Sequence, residues 1–328
     1  MRAVIVREFG APAGCAFGEF PAPEPGPLEV QLAVHAVAAN YVDLLVIGGK
    51  YQFLPERPFV PGKGPAGIVT AVGESVTRVK VGDRVLAMAE QGGYAELAIA
   101  PEINCYRLPA SMEFTDAAAC ALVFDTAWFA LRERARYKPG DTVLVLGASG
   151  GVGQAAVQLA KAMGAKVLAG IASPDKFEMA RAAGADAVID LSRGDLRDSL
   201  RAQVHDVTGG NGADIILDPI GGDVFDAALR ALAWRGRLVV IGFAAGRIPT
   251  IKVNYLLVKN IEVSGLQVSD YRKRTPDEMA ACFSELFAYY EAGKIKPAIG
   301  AVLPLDRWAD ALRQIETRAA RGRVVLTP

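Results

Sequence analysis

The sequence predicts an α/β fold: a doubly wound, six-stranded parallel sheet joined to a smaller, discontinuous β-barrel unit. Three observations carry that expectation. Thr142–Leu146 is a continuous apolar run that stops at the glycine cluster Gly147-Ala148-Ser149-Gly150-Gly151-Val152-Gly153. Apolar runs alternate with helical stretches from about residue 125 onward, whereas the chain before it reads as short β segments broken by glycine and proline. The tail then offers two more helices and a strand, which six parallel strands do not need.

Past the glycine cluster, apolar residues recur at Val152, Ala156, Leu159 and Met163, so a buried strand feeds a helix through a tight turn. Glycines allow turn geometries closed to other residues and let the backbone approach a diphosphate, whose charge then meets the unpaired amides opening the helix. Glycine-rich turns often merely connect elements. Here the following strand, Lys166–Ile171, completes one βαβ unit of the length a dinucleotide cradle requires.

Further strands are expected at Asp186–Asp190, Ala213–Asp218, Arg237–Phe243 and Ile261–Leu266, with helices at Pro174–Ala183, Leu196–Val207 and Asp223–Trp234. Such alternation favours the right-handed order 3-2-1-4-5-6, with ligand at the carboxyl ends of the strands. In the first 124 residues, Arg2–Val6, Val30–Val37, Gly67–Val72, Arg84–Ala89 and Tyr94–Ile99 suggest a small barrel. Helices at Asp277–Ala292 and Leu305–Arg318 and a strand at Arg323–Thr327 are assigned back to it. The expected boundaries are therefore 1–124 and 267–328 for the barrel unit, around a nucleotide-binding unit at 125–266.

Composition narrows the function. A chain of 328 residues, 52% hydrophobic and 22% charged, has material for two cores, since one core seldom exceeds about 250–300 residues. Its 36 basic and 36 acidic residues leave no net field, so neither nucleic acid nor an anionic membrane is an expected partner. No apolar run approaches the ~18 residues of a membrane span and no leader is evident, so a cytoplasmic location is the default expectation. Cys15, Cys105, Cys120 and Cys282 are scattered and the histidines are His35 and His205, a set that suggests neither a disulfide framework nor a local zinc site.

In this fold an acid at the end of the second strand usually holds the ribose 2′-hydroxyl of NAD. Gly170-Ile171-Ala172-Ser173-Pro174-Asp175-Lys176 lacks it at the strand end, while Ser173 and Lys176 can bond a 2′-phosphate, which favours NADPH. Ser173 can equally cap the next helix, and Asp175 can be the ribose acid displaced past the strand.

Asn40-Tyr41-Val42-Asp43, the Pro61-Gly62 to Ala66-Gly67 turn, Gly92-Gly93-Tyr94-Ala95-Glu96, the Gly147–Gly153 cluster with Gln158-Leu159-Ala160-Lys161, and Asp218-Pro219-Ile220-Gly221-Gly222 form an ordered set across both units. With these the chain resembles, along its whole length, the zinc-independent, zeta-crystallin-like quinone oxidoreductases of the medium-chain dehydrogenase/reductase superfamily. The resemblance implies a GroES-like barrel domain, NADPH-dependent reduction of small quinones or conjugated enones in a cleft between domains, and a homodimer whose Rossmann sheets join edge to edge. Zinc-dependent members place a cysteine where Asn40 stands and Gly-His-Glu where Gly62-Lys63-Gly64 stands. Asparagine, lysine and glycine cannot form that zinc shell, so no metal is expected.

Carried over residue by residue, the family pattern implies cofactor contacts from Asn40, Thr126, Ser149, Gly150, Gly151, Val152 and Gly153. It extends them to Ser173, Lys176, Ile241, Gly242, Phe243, Leu266, Gln267 and Arg323. Leu191 and Leu45 stand where some members use tyrosines, and Arg193 is the candidate substitute for the first.

Hydride delivery to a quinone or enone leaves negative charge on oxygen, so the protein must orient the reactants and supply a donor. Lys63 or Tyr51 is the candidate donor, with a solvated loop charge and a packed barrel aromatic as the plain alternatives. Asp43 either orients Asn40 or Lys63 or caps a helix beginning near Leu44. Trp128 and Phe129 either flank the nicotinamide or, as the plainer reading, form helix core, and His35 and His205 read as structural. The basic run Asp270-Tyr271-Arg272-Lys273-Arg274 is the one hint of an enoyl- or acrylyl-thioester substrate, although a solvated loop explains it as well. An NADPH-binding protein without catalysis is the third reading.

Overall fold

The computed structural model describes residues 1–328, which divide into two compact units, Met1–Leu122 with Pro276–Glu291 and Pro297–Pro328, and Val123–Thr275 with Ala292–Lys296.

The second unit is the expected doubly wound sheet. Its strands lie in the spatial order Ala187–Asp190, Lys166–Ile171, Thr142–Leu146, Ala213–Asp218, Leu232–Val240 and Glu262–Gly265, all parallel, which by chain position is 3-2-1-4-5-6. The central strands are apolar throughout because helices cover both faces, so Leu144, Leu146, Leu168, Ile216 and Leu217 are wholly buried. The expected helix over Asp223–Trp234 is shorter than the sequence suggested, spanning Gly222–Ala228. Ala213 N–H donates to Ala231 O at 2.9 Å, and this ladder bond draws residues from 232 onward into the fifth strand. That strand bulges at Arg235, which holds a φ of 63°, before pairing resumes at Arg237.

The boundary at 266/267 also differs. Val268–Arg274 is a helix of the nucleotide-binding unit, and Arg272, expected within a solvated run, is buried against Asp125 at 3.1 Å. A desolvated guanidinium needs such a partner, and this one ties the segment to the helix Phe124–Phe129.

The first unit orders Ile299–Pro304, Arg323–Thr327, Glu29–Ala39, Ala66–Val72, Arg84–Ala87 and Cys105–Arg107 into one sheet, with Leu97–Pro101 also pairing Glu29–Ala39. Arg2–Ile5 pairs separately with Ala16–Glu19. Ile299–Pro304, not anticipated from the sequence, lies parallel to Arg323–Thr327 across the helix Trp308–Glu316. Arg323–Thr327 then runs antiparallel to the long strand, with Val324 opposite Ala39 and Leu326 opposite Val37. This register brings Arg323 beside Asn40.

The helix Pro276–Glu291 returns to this unit through Phe283, which is 1% exposed and stacks on Tyr106 at 4.2 Å between ring centroids. Tyr290 adds a hydrogen bond from its hydroxyl to Asp116 Oδ2 at 2.6 Å. Phe283→Ala should lower the stability of the barrel unit by about 3–5 kcal/mol, the range for emptying a buried aromatic site. Calorimetric unfolding checks this, with the larger change expected in the barrel unit's transition.

Candidate functional site

In the nucleotide-binding unit the candidate residues gather at the carboxyl ends of the strands. Gly147 follows the first strand with a φ of 63°, and a Cβ on Gly153 would stand 2.2 Å from Gly147 O, so the turn closes only with glycine there. The helix Gly151–Ala162 begins without a side-chain cap, and its first backbone bond is Gln154 N–H to Gly150 O at 2.8 Å. Ahead of that bond the amides of Gly151, Val152 and Gly153 open a twelve-residue helix, where partial positive charge collects. Gln154 Nε2 donates to Ser149 O at 2.9 Å and fixes the turn from within. These features fit a diphosphate.

Ser173 and Lys176 follow the second strand. Ser173 precedes the short 3-10 turn Pro174–Lys176 but makes no side-chain capping bond, so of its two expected roles the cap is not used. Arg193, after the third strand, lies 3.5 Å from Asp190 Oδ2, while Leu191 is buried in the core of the unit. Ile241, Gly242 and Phe243 follow the fifth strand, with Ile241 N–H donating to Asp218 O at 2.8 Å. Leu266 N–H donates to Val240 O at 3.0 Å, and Gln267 begins the helix Val268–Arg274. Thr126 is buried in Phe124–Phe129.

Asp218 had no role assigned from the sequence. Its Oδ1 accepts Ile220 N–H at 2.8 Å and Gly221 N–H at 3.0 Å, shaping the loop after the fourth strand, while its buried Oδ2 lacks a hydrogen-bond partner. Burial pushes this carboxyl above the usual range.

The barrel unit holds a buried polar network. Asn40 precedes the helix Tyr41–Ile47, and its amide Nδ2 donates to Ala38 O at 2.8 Å while its Oδ1 accepts from Arg323 Nη2 at 2.7 Å. Arg323 Nε donates to Ala119 O at 3.1 Å. Asp43 Oδ2 accepts both the Asn40 backbone N–H and the Tyr94 hydroxyl, each at 2.8 Å. Asp43 thus stands inside the helix expected near Leu44, bonds back to its start, and orients Asn40 rather than Lys63. Tyr94 is 0% exposed, and a Cβ on Gly62 would meet its ring at 2.2 Å.

Lys63 is buried and donates a short hydrogen bond to Glu90, with its Nζ 5.3 Å from the centroid of the Tyr51 ring. The two donors weighed from the sequence therefore lie together. Glu90 was missed because 27 residues separate it from Lys63. Tyr94 was legible as part of a motif, but its bond to Asp43 spans 51 residues. No group of three or more His, Cys, Asp or Glu side chains is placed to hold a metal ion. The basic run also changes character, since Arg272 pairs with Asp125 and Arg274 lies 3.8 Å from Asp270.

Family models match both parts of the chain: "Alcohol dehydrogenase GroES-like domain" over residues 26–110 and "Zinc-binding dehydrogenase" over residues 151–285. The chain is 39% identical over 328 residues to the quinone oxidoreductase-like protein 2 homolog of Nematostella vectensis, covering 99% of this chain and 88% of the relative. It is 34% identical over 322 residues to the quinone oxidoreductase of Pseudomonas aeruginosa, covering 98% and 97%. The Escherichia coli quinone oxidoreductase solved in complex with NADPH superposes with a TM-score of 0.91 at 30% identity, covering 100% of both chains.

Burial raises the Asp43 carboxyl from its ordinary 3.8 to about 6, against the opposing pull of Tyr94, Asn40, Lys63 and Arg323. A carboxyl raised in the folded state binds its proton more tightly there, so its contribution to stability is fullest below pH 3.8 and is lost as pH rises through about 6. Asp43→Asn keeps an acceptor for Tyr94 and Asn40 but cannot ionise. Thermal unfolding between pH 4 and 6 should lose this decline in the variant.

Proposed function

Because the chain belongs to the quinone oxidoreductase family of the medium-chain dehydrogenase/reductase superfamily, we propose that it reduces quinones or α,β-unsaturated carbonyls with NADPH and without zinc. The observation that carries this reading is the buried, ion-paired ammonium of Lys63 at the sequence position where zinc-dependent relatives keep a metal ligand. Asn40, the other such position, is committed on both polar ends of its side chain to Arg323 and Ala38.

NADPH, when bound, supplies the hydride. The glycine turn and the amides of residues 151–153 would hold its diphosphate, and Ser173 and Lys176 its 2′-phosphate. Asn40, held by Asp43 and Arg323, is the barrel unit's candidate contact for the nicotinamide ribose, to which its second amide hydrogen would donate. Lys63 would donate to the oxygen on which negative charge develops, and its burial would strengthen that attraction because little water screens it. The thioester alternative loses its support, since the run that suggested it is partly consumed by the Arg272–Asp125 pair.

A homodimer belongs to the same proposal. The sheet's last strand, Glu262–Gly265, is partnered on one side only, and Val253, Leu257 and Val258 in the segment leading into it are each more than 70% exposed. An unpaired edge bordered by apolar side chains suits isologous pairing with a second copy. Leu257→Glu should convert dimer to monomer in sedimentation experiments, and a dimer unaffected by the change would place the interface elsewhere.

Steady-state oxidation of NADPH with 9,10-phenanthrenequinone, a simple enone and crotonyl-CoA tests the reaction, with turnover expected for the first two and no loss after chelation. Turnover of the thioester alone would overturn the substrate assignment. Lys176→Ala should raise KM for NADPH about tenfold or more, through loss of a charge-assisted bond worth ~1.5–3 kcal/mol, and leave KM for NADH nearly unchanged.

A further inference from the structure

Hydride addition to a quinone or enone is half of a reduction, because the oxygen left with the electron pair must still gain a proton. Lys63 is 4% exposed, so its ammonium cannot exchange freely with water once it has given a proton away. The carboxylate bonded to it is placed differently, with the Glu90 side chain 38% exposed and that of Lys63 5%. One end of this pair lies in the protein interior and the other reaches solvent.

The backbone fixes that arrangement. Gly64 N–H donates to Ala89 O at 3.2 Å, Gly92 N–H to Val60 O at 2.8 Å, Gly93 N–H to Gly62 O at 2.9 Å and Tyr94 N–H to Pro61 O at 2.9 Å. The segments carrying Lys63 and Glu90 are therefore laced together on both sides of the pair. Tyr94, packed on Gly62 and bonded to Asp43, locks the same loop from below. Asp43 makes no hydrogen bond to Lys63, and its carboxylate is buried and spent on Asn40 and Tyr94.

We propose that Glu90 is the proton-supply residue for Lys63, passing solvent protons to the buried ammonium after each reduction. This rests on the hydride-transfer reading above. When the acceptor takes the hydride of NADPH, which leaves as NADP⁺, a Lys63 N–H bond breaks and an O–H bond forms on the acceptor oxygen. Lys63 is then a neutral amine. Glu90 takes a proton from hydronium or a buffer acid, hands it to Lys63 Nζ, and is again a carboxylate. The acceptor has gained one hydride and one proton, and both side chains are restored. Glu90 acts through Lys63 and does not itself touch the acceptor.

The test uses the full chain, NADPH and whichever of 9,10-phenanthrenequinone or a simple enone turns over faster. Glu90→Gln keeps a hydrogen-bonding side chain but cannot relay a proton. Its kcat should fall about tenfold or more, within the range for general acid catalysis, with KM for NADPH little changed. The solvent deuterium isotope effect on kcat should rise, and imidazolium buffer should restore the rate in proportion to its concentration. A merely structural Glu90 would give neither. An unchanged kcat, or a fall without buffer rescue, overturns the proposal, and Glu90→Ala with the same buffer series and the same expected outcomes serves if the glutamine variant does not fold. Failure of the unaltered protein to oxidise NADPH with either acceptor would instead remove the hydride-transfer reading, and this role with it.

Discussion

The buried carboxylate of Asp43 is the constraint on which the barrel unit's centre depends. It holds the backbone of Asn40 from one side and the hydroxyl of Tyr94 from the other, joining two segments that are 51 residues apart. Removing a charged oxygen from water is costly, and the donors arrayed around Asp43 offset part of that cost. What results is a rigid platform. Asn40 can present its side chain in one orientation only, because Arg323 has taken its oxygen and Ala38 its amide. The same burial drives the phenol of Tyr94 well above its usual range, so Tyr94 stays a proton donor to Asp43.

The nucleotide-binding unit solves a different problem by a different means. Its candidate residues are held by strand ends and glycine geometry, and the chemistry falls on backbone amides. Gly153 allows the helix to approach Gly147 closely, and Asp218 organises the neighbouring loop through two backbone N–H groups. Arg272 and Asp125 then fasten the helix after the last strand to the helix that opens the unit. This is a buried pair in which loss of either partner would strand the other.

Local patterns were legible in the sequence and long-range partners were not. The strand order and the glycine cradle followed from apolar runs and turn residues, which act within a few positions of themselves. The Asp223–Trp234 helix was misjudged at its end because an alanine-rich stretch reads as helix until the Ala213–Ala231 ladder bond captures it. The strand Ile299–Pro304 is not legible in the sequence because Gly300 and Pro304, both turn residues, bracket its short apolar run Ala301–Leu303, and alternate residues along it are exposed. Lys63 was identifiable as a cation at a position that zinc-dependent relatives fill with a ligand, but nothing near it in sequence pointed to Glu90. Arg272 reads as an exposed charge, whether solvated or meeting a ligand, for the same reason, since its partner lies 147 residues away.

The antiparallel register of Arg323–Thr327 against Glu29–Ala39 has a bearing on biosynthesis. The strand that delivers Arg323 to Asn40 is made well after Thr275, by which point all but five residues of the nucleotide-binding unit have been translated. On the ribosome, then, the later-numbered unit has most of its partners first. The earlier-numbered one waits with an open sheet edge and an unclamped Asn40 until Arg323–Thr327 has been made.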